Sequence, residues 1–190
     1  EMIKYKTIIV FFLLLVIVEI SSQEDSLHTA VVYGNDNSFA VKAPKGWVLD
    51  TKSGLSSGLY AVFFPEGSSW AKAISVMYCN TASKKAKGNE TIDEVIKYDI
   101  DRFKKEQDAF VYDGENIVTS DNKTAIIKNF YDNKNKNYES VGYIDEENVV
   151  VFLVLSSREK SDYENSLKSF YELVRSYYYL TDNFKIEEKK

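Results

Sequence analysis

Histidine and cysteine, the residue types on which most enzyme chemistry would lean, occur once each in this 190-residue chain. Nucleophilic hydrolysis needs a serine or cysteine beside a base, in most designs a histidine. His28 is the single histidine, and it precedes the first strand-like run. Cys79 is the single cysteine and closes an alternating apolar run, AISVMYC. That is the setting of a buried structural thiol rather than an activated one. One Cys and one His are too few for a zinc site, and the sequence has no GxSxG, Gly-rich phosphate loop, HExxH or CxxC pattern. Carboxylates cluster at Asp145-Glu146-Glu147 and at Asp99 and Asp101. Neither cluster has the spacing of a calcium loop, so solvated charge is the expectation. A carboxylate pair for glycoside hydrolysis stays open, because its separation is set in three dimensions. The sequence therefore assigns no catalytic residue, metal ligand or cofactor.

Aromatic side chains are better candidates, for binding rather than reaction. Trp47 and Trp70 each follow a Gly- or Ser-containing loop at the start of a strand. With Ser53 and Gly58 of the small-residue loop between them, and Tyr60 just beyond it, they compose a candidate docking surface or apolar cleft. Core packing is the competing reading for both tryptophans.

The elements that must position these residues are legible from patterning. Residues 149–155, VVVFLVL, form an unbroken apolar run that predicts a strand covered on both faces. The alternating run 138–145 precedes it, and residues 145–148 are the reversal between the two. Further strands are predicted at 29–33, 39–42, 59–64 and 73–79, with others at 110–112, 116–119 and 124–131. They lie too close together for parallel crossovers, which favours antiparallel pairing. Two helices are predicted. Thr91 with Glu94 has capping-box spacing before an apolar stripe, and so does Ser161 with Glu164. The second stripe extends to Tyr177. The order of strands, helix, strands, helix predicts an α+β domain with helices packed on a central antiparallel sheet of about six or more strands.

The composition is 44% hydrophobic and 14% aromatic with two prolines, which suits one well-formed core. A net charge of −5 with interspersed lysines gives no basic face for nucleic acid. Residues 1–22 read as a signal peptide: Lys4 and Lys6, an eleven-residue apolar run at 8–18, then Ser21 and Ser22. The run is short for a membrane span, and no lipoprotein cysteine follows it. A retained N-terminal anchor is the alternative. The expected organisation is a leader over 1–22, one domain over 23–181 and a charged tail over 182–190.

The segment Phe39-Ala40-Val41-Lys42-Ala43-Pro44-Lys45-Gly46-Trp47 resembles the opening of PsbP-like and Mog-like domains, a short strand and a Pro-x-Gly-Trp turn leading into another strand. The later pieces follow in the same order: Val62-Phe63-Phe64-Pro65, the helix opened at Thr91, the 138–155 hairpin and a last helix ending Phe170-Tyr171-Glu172-Leu173-Val174. The resemblance implies an α-β-α sandwich with helices on both faces of the sheet. Members of that family include extrinsic subunits of photosystem II and a protein that binds a small GTPase, so it also implies non-catalytic docking. It carries no catalytic motif onto this chain. The resulting expectation is a secreted or periplasmic binding or assembly-support module with a protein partner in the cell envelope or outside. A carrier of a small apolar ligand in a pocket between sheet and helix is the alternative, and a small envelope hydrolase comes third.

Overall fold

A computed structural model describes residues 28–34 and 37–181. The expected leader and charged tail lie outside the described residues. The chain runs through β1 (Thr29–Tyr33), β2 (Ser38–Lys42), β3 (Trp47–Asp50), β4 (Val62–Pro65) and β5 (Ser75–Ser83). Helix α1 (Ile92–Gln107) follows, then β6 (Phe110–Asp113), β7 (Ile117–Val118), β8 (Thr124–Asp132), β9 (Asn137–Asp145) and β10 (Val149–Ser157). Helix α2 (Lys160–Arg175) and β11 (Tyr178–Thr181) complete it.

Most strands join one large antiparallel sheet in the order β3-β4-β5-β10-β9-β8-β6, with β7 paired to β8. β10 lies at its centre, hydrogen-bonded to β5 and β9 along its whole length. Its apolar run is covered as the sequence predicts, with Phe152 alone half-buried among residues 149–155. Successive side chains of a strand point to opposite faces, and β10 divides its residues accordingly. Val149, Val151, Leu153 and Leu155 join a cluster that contains Phe170, Leu173 and Val174 of α2. Val150 and Val154 join a second cluster with Val95, Ile96 and Phe103 of α1. Gly142 of β9 lets α2 approach closely, since a Cβ there would come within 3.3 Å of Val174 Cγ2 and 3.2 Å of Ile127 Cδ1.

The β-structure is not one sheet. β1, β2 and β11 form a separate three-stranded antiparallel sheet, ordered β1-β2-β11. It turns Ala30, Val32, Phe39 and Val41 onto the α2 cluster and closes that side. The predicted last helix is correspondingly shorter than its apolar stripe. It stops at Arg175, Tyr177 enters the core beyond it, and the chain then extends as β11. The predicted strand over 59–64 begins only at Val62.

The first helix cap forms as the sequence predicts. The Glu94 N–H donates to Thr91 Oγ1 at 3.3 Å, and the Thr91 N–H donates to Glu94 Oε2 at 2.9 Å. The second does not. The helix starts earlier, with Glu159 at the N-cap and no side chain bonding there, and Ser161 donates instead to Asp162 Oδ2 at 3.2 Å.

Candidate docking surface

The turn before β3 places Trp47 by backbone bonding: its N–H donates to Pro44 O at 3.0 Å, and the Glu66 N–H donates to Gly46 O at 2.9 Å. Trp47 is 6% exposed and belongs to the α2 cluster, so it is chiefly a core residue. Part of it also borders an open groove of about 400 Å³ between this end of the large sheet and the first turns of α2. Pro65 and Ile74 continue the apolar lining, and Lys72, Asp162 and Asn165 contribute polar groups. Ile74 is 44% exposed. Arg158 braces the segment on which it sits, with Nη2 donating to Ala73 O at 2.7 Å and the backbone N–H to Ile74 O at 3.2 Å.

The other sequence-selected residues lie on two loops that leave opposite ends of β4, Ser53, Gly58 and Tyr60 on the β3–β4 loop and Trp70 on the β4–β5 loop. Ser53 donates Oγ to Asp50 Oδ2 at 2.6 Å, and the Lys52 and Ser53 N–H groups donate to Oδ1. These bonds, led by that of the Ser53 side chain, hold the Asp50 carboxyl below its ordinary pKa. Gly58 ends the short 3-10 turn Leu55–Ser57 with φ +73°, a conformation that suits glycine, and Tyr60 beyond it is 63% exposed. Trp70 is half-buried and packs edge-on against Tyr78 with ring centroids 6.3 Å apart. Tyr78 packs against the α1 cluster, whereas Trp47 lies in the α2 cluster. The two tryptophans are therefore anchored to different faces of the sheet and do not share one aromatic patch.

The residues set aside as unreactive also have defined places. Cys79 is buried and free, and burial raises its thiol pKa far above the ordinary value, so it is not a nucleophile at neutral pH. Among the described residues no group of three or more His, Cys, Asp or Glu could hold a metal ion. Asp145, Glu147 and Asp101 are exposed as expected of the acidic clusters, but one member of each cluster departs from the solvated state. Glu146 is buried, ion-paired to Lys123 and bonded by the Tyr177 hydroxyl at 2.8 Å. Asp99 accepts from Arg102 Nη2 and from the Tyr143 hydroxyl, each at 3.0 Å.

Two features were not singled out from sequence. A cross-strand aromatic row, Phe110–Tyr131–Tyr138, continues to Tyr163 of α2, with neighbouring ring centroids 4.7–6.5 Å apart. Glu139 of β9 turns toward the α1 side, where Asn137 Nδ2 and Ser156 Oγ donate to its Oε1 at 2.8 and 3.2 Å. Burial pushes its carboxyl up to about 7, against the lowering effects of the Ser156 bond and the Arg102 charge. The alternation of β9 already placed Glu139 with Val141 and Tyr143, which was the available signal.

No family model matches the chain, and no curated protein matches its sequence. Solved structures do match in three dimensions, and one of them, a PsbP, supports a PsbP-like fold. The solution structure of cyanobacterial PsbP (CyanoP) from Synechocystis sp. PCC 6803 superposes with a TM-score of 0.50 at 11% identity, over 81% of this chain and 94% of that one. A crystal structure from Bacteroides thetaiotaomicron VPI-5482 gives a TM-score of 0.49 at 10% identity, over 84% of this chain and 50% of that one. Among the described residues no helix is long and apolar enough to cross a membrane.

Proposed function

We propose that the protein is an exported, non-catalytic binding and assembly-support module built as a PsbP/Mog-like α-β-α sandwich. In this reading residues 1–22 direct export, the domain works in the periplasm or outside the cell, and its partner is an envelope or extracellular protein. The observation that supports docking most directly is the groove beside Trp47. Its apolar wall is Trp47, Pro65 and Ile74, and Lys72, Asp162 and Asn165 add charged and hydrogen-bonding groups. An apolar centre with a polar margin is the anatomy of an interface rather than of a reaction centre. Tyr60 and Trp70, on the loops at the two ends of β4, are further candidate contacts apart from that groove.

Ile74→Glu combined with Lys72→Glu tests this without touching the buried core. The double variant should melt within a few degrees of the parent and lose partner capture from an envelope extract. Capture of the same proteins by parent and variant would remove the groove from the reading. Trp70→Ala should likewise fold normally and weaken capture, while a large drop in melting temperature would give Trp70 a packing role instead. The carrier reading has the groove's apolar wall in its favour and makes a separate demand, that the purified protein release a lipid-like mass on denaturation.

A further inference from the structure

The groove beside Trp47 has two walls of opposite charge. Lys72 stands on the β4–β5 loop at the sheet side, and Asp162 on the first turn of α2 faces the same space. Among the described residues no ion pair joins them, and neither has another ion-pair partner. Lys160, two residues before Asp162, pairs instead with Glu164 at 3.6 Å. The Asp162 carboxylate accepts only from the Ser161 hydroxyl.

Asn165 and Ser166 follow Asp162 by three and four residues, which puts all three on one face of the helix, against the groove. Ser166 is 8% exposed, and its hydroxyl bonds to no described residue. Ser75 on the sheet wall is also buried, but its Oγ donates to Ser157 Oγ at 2.8 Å. A polar group withdrawn from water without a partner is destabilising. Ser166 therefore holds, inside the groove, a hydrogen-bonding capacity that no described residue uses.

These features select among occupants. A small ligand is ordinarily enclosed over most of its surface, and this groove is open. A neutral sugar chain would leave the Lys72 and Asp162 charges unmatched. A segment of a larger partner that carries both signs of charge beside an apolar side chain matches the two walls and the apolar lining together.

We propose that the groove takes an extended peptide segment of the partner in which an apolar side chain lies between an acidic and a basic residue. The acid meets Lys72, the base meets Asp162, and a backbone carbonyl of the segment accepts from the Ser166 hydroxyl. This rests on the protein-docking reading above and specifies what the groove recognises.

The test uses the purified protein and a random heptapeptide library displayed on phage. The expected result is enrichment, at least threefold over the input library, of peptides with an apolar residue flanked by an acid on one side and a Lys or Arg on the other. Lys72 is exposed and Asp162 half-buried, so Lys72→Glu and Asp162→Asn should both fold normally. The first should lose the preference for the acid and the second the preference for the base. Ser166→Ala should weaken a synthetic peptide of the enriched sequence about fivefold by fluorescence anisotropy. Its melting temperature should be unchanged or raised, because an unpartnered buried hydroxyl is removed. An enriched motif that survives both charge variants binds elsewhere and overturns the proposal. No enrichment, with capture from the envelope extract still lost in Ile74→Glu/Lys72→Glu, overturns the segment and leaves docking at the groove intact. No enrichment with capture retained overturns both. Binding of neutral saccharides on a glycan array that is lost in Ser166→Ala would assign the groove to a sugar and likewise overturn the proposal.

Discussion

The two clusters of the large sheet handle buried polar groups in different ways. In the cluster of α2 the buried charge and several buried hydroxyls meet matched partners, although the Tyr179 hydroxyl is buried with no hydrogen-bond partner among the described residues. Glu146 faces the Lys123 ammonium and accepts from the Tyr177 hydroxyl. Ser140 donates to Asn129 Oδ1 at 2.6 Å, and the Tyr163 hydroxyl lies 2.7 Å from Ser140 Oγ. In the cluster of α1 the nearby cation is already engaged, because Arg102 pairs with Asp99. Glu139 is left with the neutral donors Asn137 and Ser156, and its carboxyl moves up to about 7. Glu139 is half-buried, and a carboxylate withdrawn from water without its own cation relieves the cost of its charge by taking up a proton. One side of the sheet is thus braced by matched charge, and the other holds a carboxyl that responds to pH.

Removing the brace gives the largest expected effect. Glu146→Ala strands the Lys123 charge and leaves the Tyr177 hydroxyl, at the centre of the core, without its acceptor. It also loosens the join between the sheets, where the Ser120 N–H and Oγ both bond Tyr177 O and the Tyr179 N–H bonds Asp121 Oδ2. Breaking one partner of a buried pair costs several kcal/mol, and because Lys123 is partly exposed the expected loss is about 3 kcal/mol. Urea denaturation of parent and variant measures it. A loss below about 1 kcal/mol would show that the pair is not a brace.

The α1 side is tested by pH. The Glu139 carboxyl is raised in the folded protein, from an ordinary 4.5 to about 7. Between those values the folded state binds more protons than the unfolded one, so stability falls as pH rises. The contribution is complete below about pH 4.5 and is lost as pH passes through about 7. Unfolding free energy should decline by on the order of 2 kcal/mol across that window. Glu139→Gln keeps the shape and removes the charge, so it should flatten the decline. Parallel slopes for parent and variant would show that Glu139 is not its source.

The contrast between the clusters was only partly legible in the sequence. The run at 149–155 states its burial through composition alone, and the β9 alternation put Glu139 on the side of Val141 and Tyr143. Glu146, by contrast, sits in a string of four polar residues that reads as a solvated turn. Its burial depends on Lys123 and Tyr177, which arrive from distant parts of the chain. The separate small sheet was hidden for the same reason, since β11 is defined by its pairing with Ala40 and Phe39 near the other end of the domain. Trp47 and Trp70 stand in similar local contexts. Their different destinations follow from strand parity at Trp47 and from a loop packing onto Tyr78 at Trp70, neither of which a local motif reports.

Helix capping gives the smallest expected effect and sharpens the comparison most cleanly. Both helices carry the same four-residue signal, Thr91 with Glu94 and Ser161 with Glu164, yet only the first box closes. Helix α1 follows a polar connection and can begin where its own side chains satisfy the free N–H groups. Helix α2 comes two residues after β10, and Tyr163 must reach Ser140 and Asn129 within the core. That anchor moves the helix start back to Lys160, and the Tyr163 N–H then donates to Glu159 O at 3.0 Å, leaving Ser161 inside the first turn. Thr91→Ala should therefore cost about 1 kcal/mol, and Ser161→Ala less than about 0.5 kcal/mol. Equal losses in the two variants, measured by urea denaturation, would mean that α2 frays to a start at Ser161 in solution and that tertiary contact does not override its local signal.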